Sequence, residues 1–403
     1  MRTQEDIRHV LIFAFSHPTR LDRCPPMRTF WSGLALATLA VTVGAQAPHT
    51  NPFKEYTITA PDGSITAKFI GSGASLSELW VKDKFGRFRD VVLGYDNTTL
   101  WKTDPSHPVL NSVVGRYANR IKNGTFSIPI SQNPDPNSPN TYHIFRNGPD
   151  SAYTLHGGEI GWDRRNWTLV SSSLSSLTFQ HFDPADEGFP GDVTAKVTYT
   201  LSAGGKYDTV VTATATEKTP IMVTTHVYWN LDAFQGTSNI FNHSLRIDSS
   251  KYIQGDMHLV PTGGFTAVQG TALDFRKERT IGSKWNESIG YGGYCYGYDT
   301  AYIYDAPGSK APSLSLYSAN SGIRMDVTTN QPVVQIYTGN WLAIPRKKVH
   351  GGPNLQYESF SSVAIEPEGY VDAINNPDWG VDQIYYPGRD FKWAATYKFS
   401  VEK

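Results

Sequence analysis

The sequence predicts an all-β protein built as a large antiparallel β-sandwich, and three observations carry that expectation. Short runs rich in Val, Ile, Thr, Tyr and Phe are punctuated by clusters of Gly, Pro, Asn and Asp, the rhythm of strands and tight turns, in a chain with 35 glycines and 25 prolines. In one run Val193, Ala195, Val197, Tyr199 and Leu201 alternate with polar or small residues, the period of two that buries one face of a sheet. No apolar pattern of helical period lasts three turns beyond residue 47.

Taken in order, residues 1–26 carry Arg8, Arg20, Arg23 and the Pro25-Pro26 pair and read as an upstream artefact, with Met27 as the true start. Residues 27–47 hold one basic side chain, an apolar run and Ala45-Gln46-Ala47. This is the pattern of a secretory signal cleaved after Ala47, too short for a comfortable membrane span. One domain follows over 48–403. Within it strands are expected at 64–69, 76–81, 91–93, 167–170, 177–182, 193–201, 209–216, 221–228, 301–304, 313–317, 323–328, 333–337 and 393–401. Each is a β-branched or aromatic run bounded by turn residues. The stretch 131–140, rich in Pro, Asn and Ser, interrupts a strand-like pattern between Phe126 and Tyr142 and reads as a surface loop. No fixed-period repeat, long linker or charge block divides the chain.

A chain of 403 residues, 39% hydrophobic, can bury an ample core as one unit. A formal net charge of −1 with no basic run gives no footing for nucleic acid. Cleavage after Ala47 removes Cys24 and leaves Cys295 alone, so the core rather than an internal disulfide has to hold the fold. Sequons at Asn97, Asn123, Asn166, Asn242 and Asn286 are compatible with secretion.

The residues suited to chemistry stand in three separate contexts. His156 lies in Leu155-His156-Gly157-Gly158, where two glycines let backbone pack closely against whatever the imidazole faces. His226 ends the run from Ile221 and precedes Val227, Tyr228 and Trp229; alternation sets it on one sheet face with Thr224 and Tyr228. Glu366 closes the apolar run Val363-Ala364-Ile365, where a carboxylate is costly unless paired or used. Imidazole and carboxylate are the side chains best suited to pass protons near neutral pH. Read in isolation, each histidine is more often structural, and the glutamate fits an edge position facing solvent. No His-Glu-X-X-His, paired cysteine or EF-hand pattern occurs, so no metal is expected. The acids of Asp183–Gly191 sit among Gly and Pro and read as a turn.

In order and spacing, these motifs resemble the aldose 1-epimerase (galactose mutarotase) family over roughly Glu55 to Lys403. The resemblance implies the mutarotase-like supersandwich and the interconversion of α and β anomers of free aldoses, with neither cofactor nor covalent adduct. By the same resemblance, Glu366 is the general base, His226 the general acid, and His156 a substrate-positioning group. Asn119 and Arg120 match the family's sugar-binding pair, Asp299 its hydroxyl acceptor, and Gln335 a polar pocket residue; Arg116 reads as structural. Two positions depart from the family pattern: Trp229 stands for Phe, which could reshape the pocket wall, and Glu368 stands for Gln, which could raise the pKa of Glu366 or face away. The expected partner is a monosaccharide, galactose, glucose or a pentose, met outside the cell with no membrane attachment after signal cleavage. Three alternatives stay open: a hydrolase or lyase on the same sandwich using Glu366 with Asp299, a hexose-6-phosphate epimerase with a cationic clamp, and a non-catalytic carbohydrate-binding protein.

Overall fold

The computed structural model describes residues 51–403 apart from 132–136 and 138–139. The expected upstream stretch and signal, and most of the 131–140 loop, lie outside the described residues. The described chain is an antiparallel β supersandwich. Its larger sheet has nine strands, from Thr168–Ser172 at one edge through Val193–Ser202, Lys206–Ala215 and Phe391–Val401 to Arg279–Thr280 at the other. A six-stranded sheet runs Tyr228–Trp229, Val363–Glu368, Val333–Tyr337, Asp299–Ile303, Lys251–Gly255 and Pro261–Ala267. An N-terminal four-stranded sheet, Tyr56–Thr59 to Phe88–Asp90, completes the major layers.

The core forms where the two large sheets face each other. Val197, Tyr199, Val211, Trp393 and Tyr397 from the larger meet Trp229, Val334, Ile336, Val363 and Ile365 from the smaller. This apolar interface leaves the opposite face of the six-stranded sheet free to carry polar side chains. The only α-helix among the described residues is Leu100–Thr103, and none is long and apolar enough to cross a membrane.

Most expected strands stand within a residue or two of their predicted bounds, but the 221–228 run divides. It forms Thr224–Thr225 and Tyr228–Trp229, because the amide of Val227 bonds back to the Thr225 carbonyl and turns the chain at His226. The 91–93 run supplies only a bridge from Val92 to Trp229. Trp229 does not touch the pocket wall as expected: it is fully buried between the sheets against Tyr397 and Phe399. Cys295 is buried beside the Gly292 carbonyl and Asn340. Arg116 is structural as expected; buried, it binds Asp183 and the carbonyls of Pro190 and Gly191. The acids of the 183–191 turn are used in the same way, with Asp186 and Glu187 gripping Arg165.

Candidate active site

Three neighbouring strands of the six-stranded sheet build the site floor. Their register sets Gln335 opposite both Ala301 and Glu366, and Tyr337 opposite both Asp299 and Ala364. Since side chains alternate, Val334, Ile336, Val363 and Ile365 point into the core while Asp299, Gln335, Tyr337, Glu366 and Glu368 share the outer face. Proline between the two glutamates is tolerated because Tyr228–Trp229 pairs only as far as Ala364, so Pro367 owes no amide on that side. Its carbonyl accepts bonds from Trp393 and Thr224, which fixes the strand from behind.

A closed hydrogen-bonded ring stiffens this floor. Arg120 donates to Asp299 at 3.1 Å and to Asn119 at 3.1 Å. The Asn119 amide donates to Gln335 at 3.2 Å and to Glu368 at 2.8 Å, and Gln335 donates to Asp299. The hydroxyl-binding residues expected from the sequence, Asn119, Arg120, Asp299 and Gln335, are therefore joined in one network.

The two histidines enter from other segments. The backbone amide of Asn119 donates to Nδ1 of His156 at 3.2 Å, which leaves Nε2 to carry the ring proton. His156 sits at φ +55° and is followed by Gly157 at +93° and Gly158 at +126°. A Cβ on Gly157 would lie 2.1 Å from the Gly115 carbonyl oxygen, so the close approach expected of this motif is real. His226 is held through its backbone, which exchanges hydrogen bonds with Asn111 and Ser112. Its ring lies edge-on to His156 with centroids 5.4 Å apart and 4.8 Å from Tyr228. His226 Nε2 stands 3.5 Å from Glu366 Oε1 with both side chains nearly buried. The pair is thus side by side on one floor.

All seven residues expected from the sequence line one cavity of about 400 Å³, within the usual range for a small-molecule site. The aromatic rings of Tyr228, Tyr337 and Trp341 complete its walls. Tyr337 and Trp341 had no sequence signal separating pocket from core. His107, bonded to Asp163, also lines the cavity and was not foreseen, because its partner lies in a distant segment.

Burial dominates the electrostatics. It pulls His226 down to about 4, against weaker upward pulls from Asp299 and Asp163. His156 is driven well below the usual histidine range by burial and then by His226. Glu366 is pushed well above the carboxylate range by burial, then by the neighbouring charges of Glu368 and Asp299. Glu368 lies buried beneath the floor against Asn119 and is pushed up to about 8 by the same desolvation. The opposed shifts of Glu366 and His226 leave the proton of the pair on Glu366 rather than on His226.

A buried carboxyl and imidazole beside a hydrogen-bonded ring of polar groups, on an antiparallel supersandwich, match the site of the mutarotase-like class. The chain belongs to the aldose 1-epimerase family: the family model described as aldose 1-epimerase matches residues 54–398. It is 38% identical over 401 residues to a probable aldose 1-epimerase of Arthroderma benhamiae, covering 88% of each chain. It is 34% identical over 334 residues to galactose mutarotase of Bos taurus, covering 82% of this chain and 90% of the other. The solved aldose epimerase homologue from C. elegans superposes with a TM-score of 0.76 at 28% identity, over 87% of this chain and 99% of that one. These relatives make the protein an isomerase and support aldose 1-epimerase activity.

Proposed function

We propose that the protein is a secreted mutarotase in which Glu366 and His226 act as one proton-sharing pair on the anomeric centre of a free aldose. The observation that carries the reading is the 3.5 Å contact between His226 Nε2 and Glu366 Oε1. The anomeric hydroxyl and the ring oxygen are borne by the same carbon, so an acid and a base that serve both must stand next to each other. Glu366 as carboxylate removes the proton from the C1 hydroxyl while His226 as imidazolium donates to the ring oxygen, and the bond from that oxygen to C1 opens. The pair now holds its single proton on Glu366, the distribution that burial favours. Rotation about C1–C2 presents the other carbonyl face. The C5 hydroxyl returns its proton to His226 as it attacks C1, Glu366 protonates the new anomeric oxygen, and the pair is reset. His156 positions the sugar near its ring oxygen, and Asn119, Arg120, Asp299 and Gln335 receive its remaining hydroxyls.

A hydrolase would need Asp299 as a second working carboxylate, and its engagement by Arg120 and Gln335 favours the epimerase. Secretion is supported by the 27–47 pattern and by the exposure of all five sequon asparagines. Polarimetry on freshly dissolved α-galactose tests the mechanism: Glu366→Gln should lower kcat by roughly 10²–10⁴-fold while sugar binding stays measurable. Retention of most of the activity removes Glu366 from the role of base, and wild-type binding without accelerated anomer exchange turns the reading to a binding protein. An N-terminus at Pro48 in the exported protein checks the signal.

A further inference from the structure

We propose that His107, held by Asp163, is a specificity-determining residue that reads the substituent on C5 of the sugar. The inference rests on the roles given above to Glu366 and His226.

His107 lines the same cleft as His156, His226 and Glu366 but belongs to none of the segments that supply them. Its loop is tied down over His226. The Tyr228 hydroxyl donates to the Pro108 carbonyl at 3.0 Å, and the Asn111 amide donates to the His226 carbonyl at 3.0 Å. The imidazole is fixed in turn: Nε2 lies 2.5 Å from Asp163 Oδ2, with the Asp163 side chain only 3% exposed and that of His107 28% exposed. A buried carboxylate that accepts from Nε2 of a partly exposed imidazole sets the ring's direction and leaves the Nδ1 lone pair for a ligand. His107 adopts φ +45°, a backbone strain that a residue serving only to cover the surface does not need.

The surroundings of the three central groups place His107 along the sugar. His107 is among the charges felt by both His156 and His226. It is not among those felt by Glu366, which are Glu368, Asp299 and Arg120. Asp299 and Arg120 act on the histidines as well, but of the three central groups His107 and Asp163 act on the histidines alone, and the loop ties to Tyr228 and His226 put His107 on the histidine side of the pair. A pyranose seated with its anomeric hydroxyl on Glu366 and its ring oxygen on His226 turns C2 toward Asp299 and Arg120. C5, on the far side of the ring oxygen, then faces His107. Aldohexoses carry a hydroxymethyl group there, 6-deoxyhexoses a methyl, and pentopyranoses only hydrogen. An oriented imidazole lone pair that can accept from a hydroxyl favours the first of these.

The test compares kcat/KM by polarimetry for galactose and 6-deoxygalactose, which differ only in the hydroxyl at issue. His107→Ala should lower the galactose to 6-deoxygalactose ratio by about three- to tenfold, chiefly through the KM for galactose. Losses in equal proportion for both sugars, or an unchanged ratio, overturn the proposal, because a merely structural role cannot tell them apart. Should His107→Ala not fold, Asp163→Asn is read on the same ratio, which should again fall as the imidazole loses its charged anchor. A wild-type protein that accelerates neither sugar overturns the epimerase reading and this inference with it; an active wild type with an unmoved ratio overturns this inference alone.

Discussion

Replacing Glu368 by glutamine probes the electrostatics of the floor at one isosteric atom. Glu368 is fully buried, accepts the Asn119 amide at 2.8 Å through Oε1, and has no partner for Oε2. Desolvation lifts its carboxyl from an ordinary 4.5 to about 8, with Asn119 and Arg120 pulling the other way. The folded protein thus holds this proton more tightly than the unfolded chain. The associated stability is fully present below pH 4.5 and is lost as pH rises through about 8. At about 1.4 kcal/mol per pKa unit, the full loss approaches roughly 5 kcal/mol, an upper bound that relaxation around the carboxylate reduces. Glu368→Gln keeps the acceptor for Asn119 and removes the ionisation. It should melt with the wild type near pH 5 and clearly above it near pH 9.

The same substitution acts on catalysis. Two carboxylates two residues apart on one strand face are about 6.6 Å apart, which at an effective dielectric of about 20 corresponds to roughly 2.5 kcal/mol, or 1–2 pKa units. Without the second negative charge, Glu366 loses its proton at lower pH, so the alkaline limb of kcat/KM should move toward neutrality. Thermal melts at the two pH values and a polarimetric pH profile measure both effects. A melting difference independent of pH together with superimposed alkaline limbs would refute the assignment of Glu368 as a buried, protonated acid beside Glu366.

Other consequences are equally accessible. With His226 held near 4, the pair takes up a second proton only below that pH, so activity should persist down to about pH 4; an acid limb at the ordinary histidine pKa would contradict this. Gly157→Ala sets a Cβ 2.1 Å from the Gly115 carbonyl at a backbone φ of +93°, and should cost several kcal/mol in denaturant unfolding or displace His156 and depress kcat/KM. Lys347→Met strips the buried Asp90 carboxylate of its ammonium partner and should destabilise by about 3–5 kcal/mol without moving the galactose to 6-deoxygalactose ratio; urea melts and polarimetry report the two separately.

The parts legible in the sequence are those fixed by local pattern. The alternation in Val193–Ser202 is a direct imprint of a sheet with one buried face, and its burial alternates along the whole strand. The Leu155-His156-Gly157-Gly158 motif showed its meaning because positive φ needs glycine at both following positions. What was hidden depends on partners remote in sequence. Trp229 reads as a pocket aromatic by proximity to His226, yet one step along the strand reverses the face and sends it into the core. The turn at His226 comes from a backbone bond that no side chain announces. His107 is a lone histidine in a proline-rich loop until the fold brings Asp163 to it, 56 positions away. The orientation of Glu368 was undecided because Glu-Pro-Glu fits an edge strand as well as a site floor; the amide of Asn119 decides it.

Arg120 is the sole permanent cation among the described side chains lining the cleft, and it is already engaged by Asp299, Asn119 and the His258 carbonyl. A guanidinium whose three nitrogens are each engaged and whose charge is paired with Asp299 is poorly placed to clamp a phosphoryl group or a uronate. With no free cation among those side chains to screen, turnover of a neutral sugar should be nearly indifferent to ionic strength.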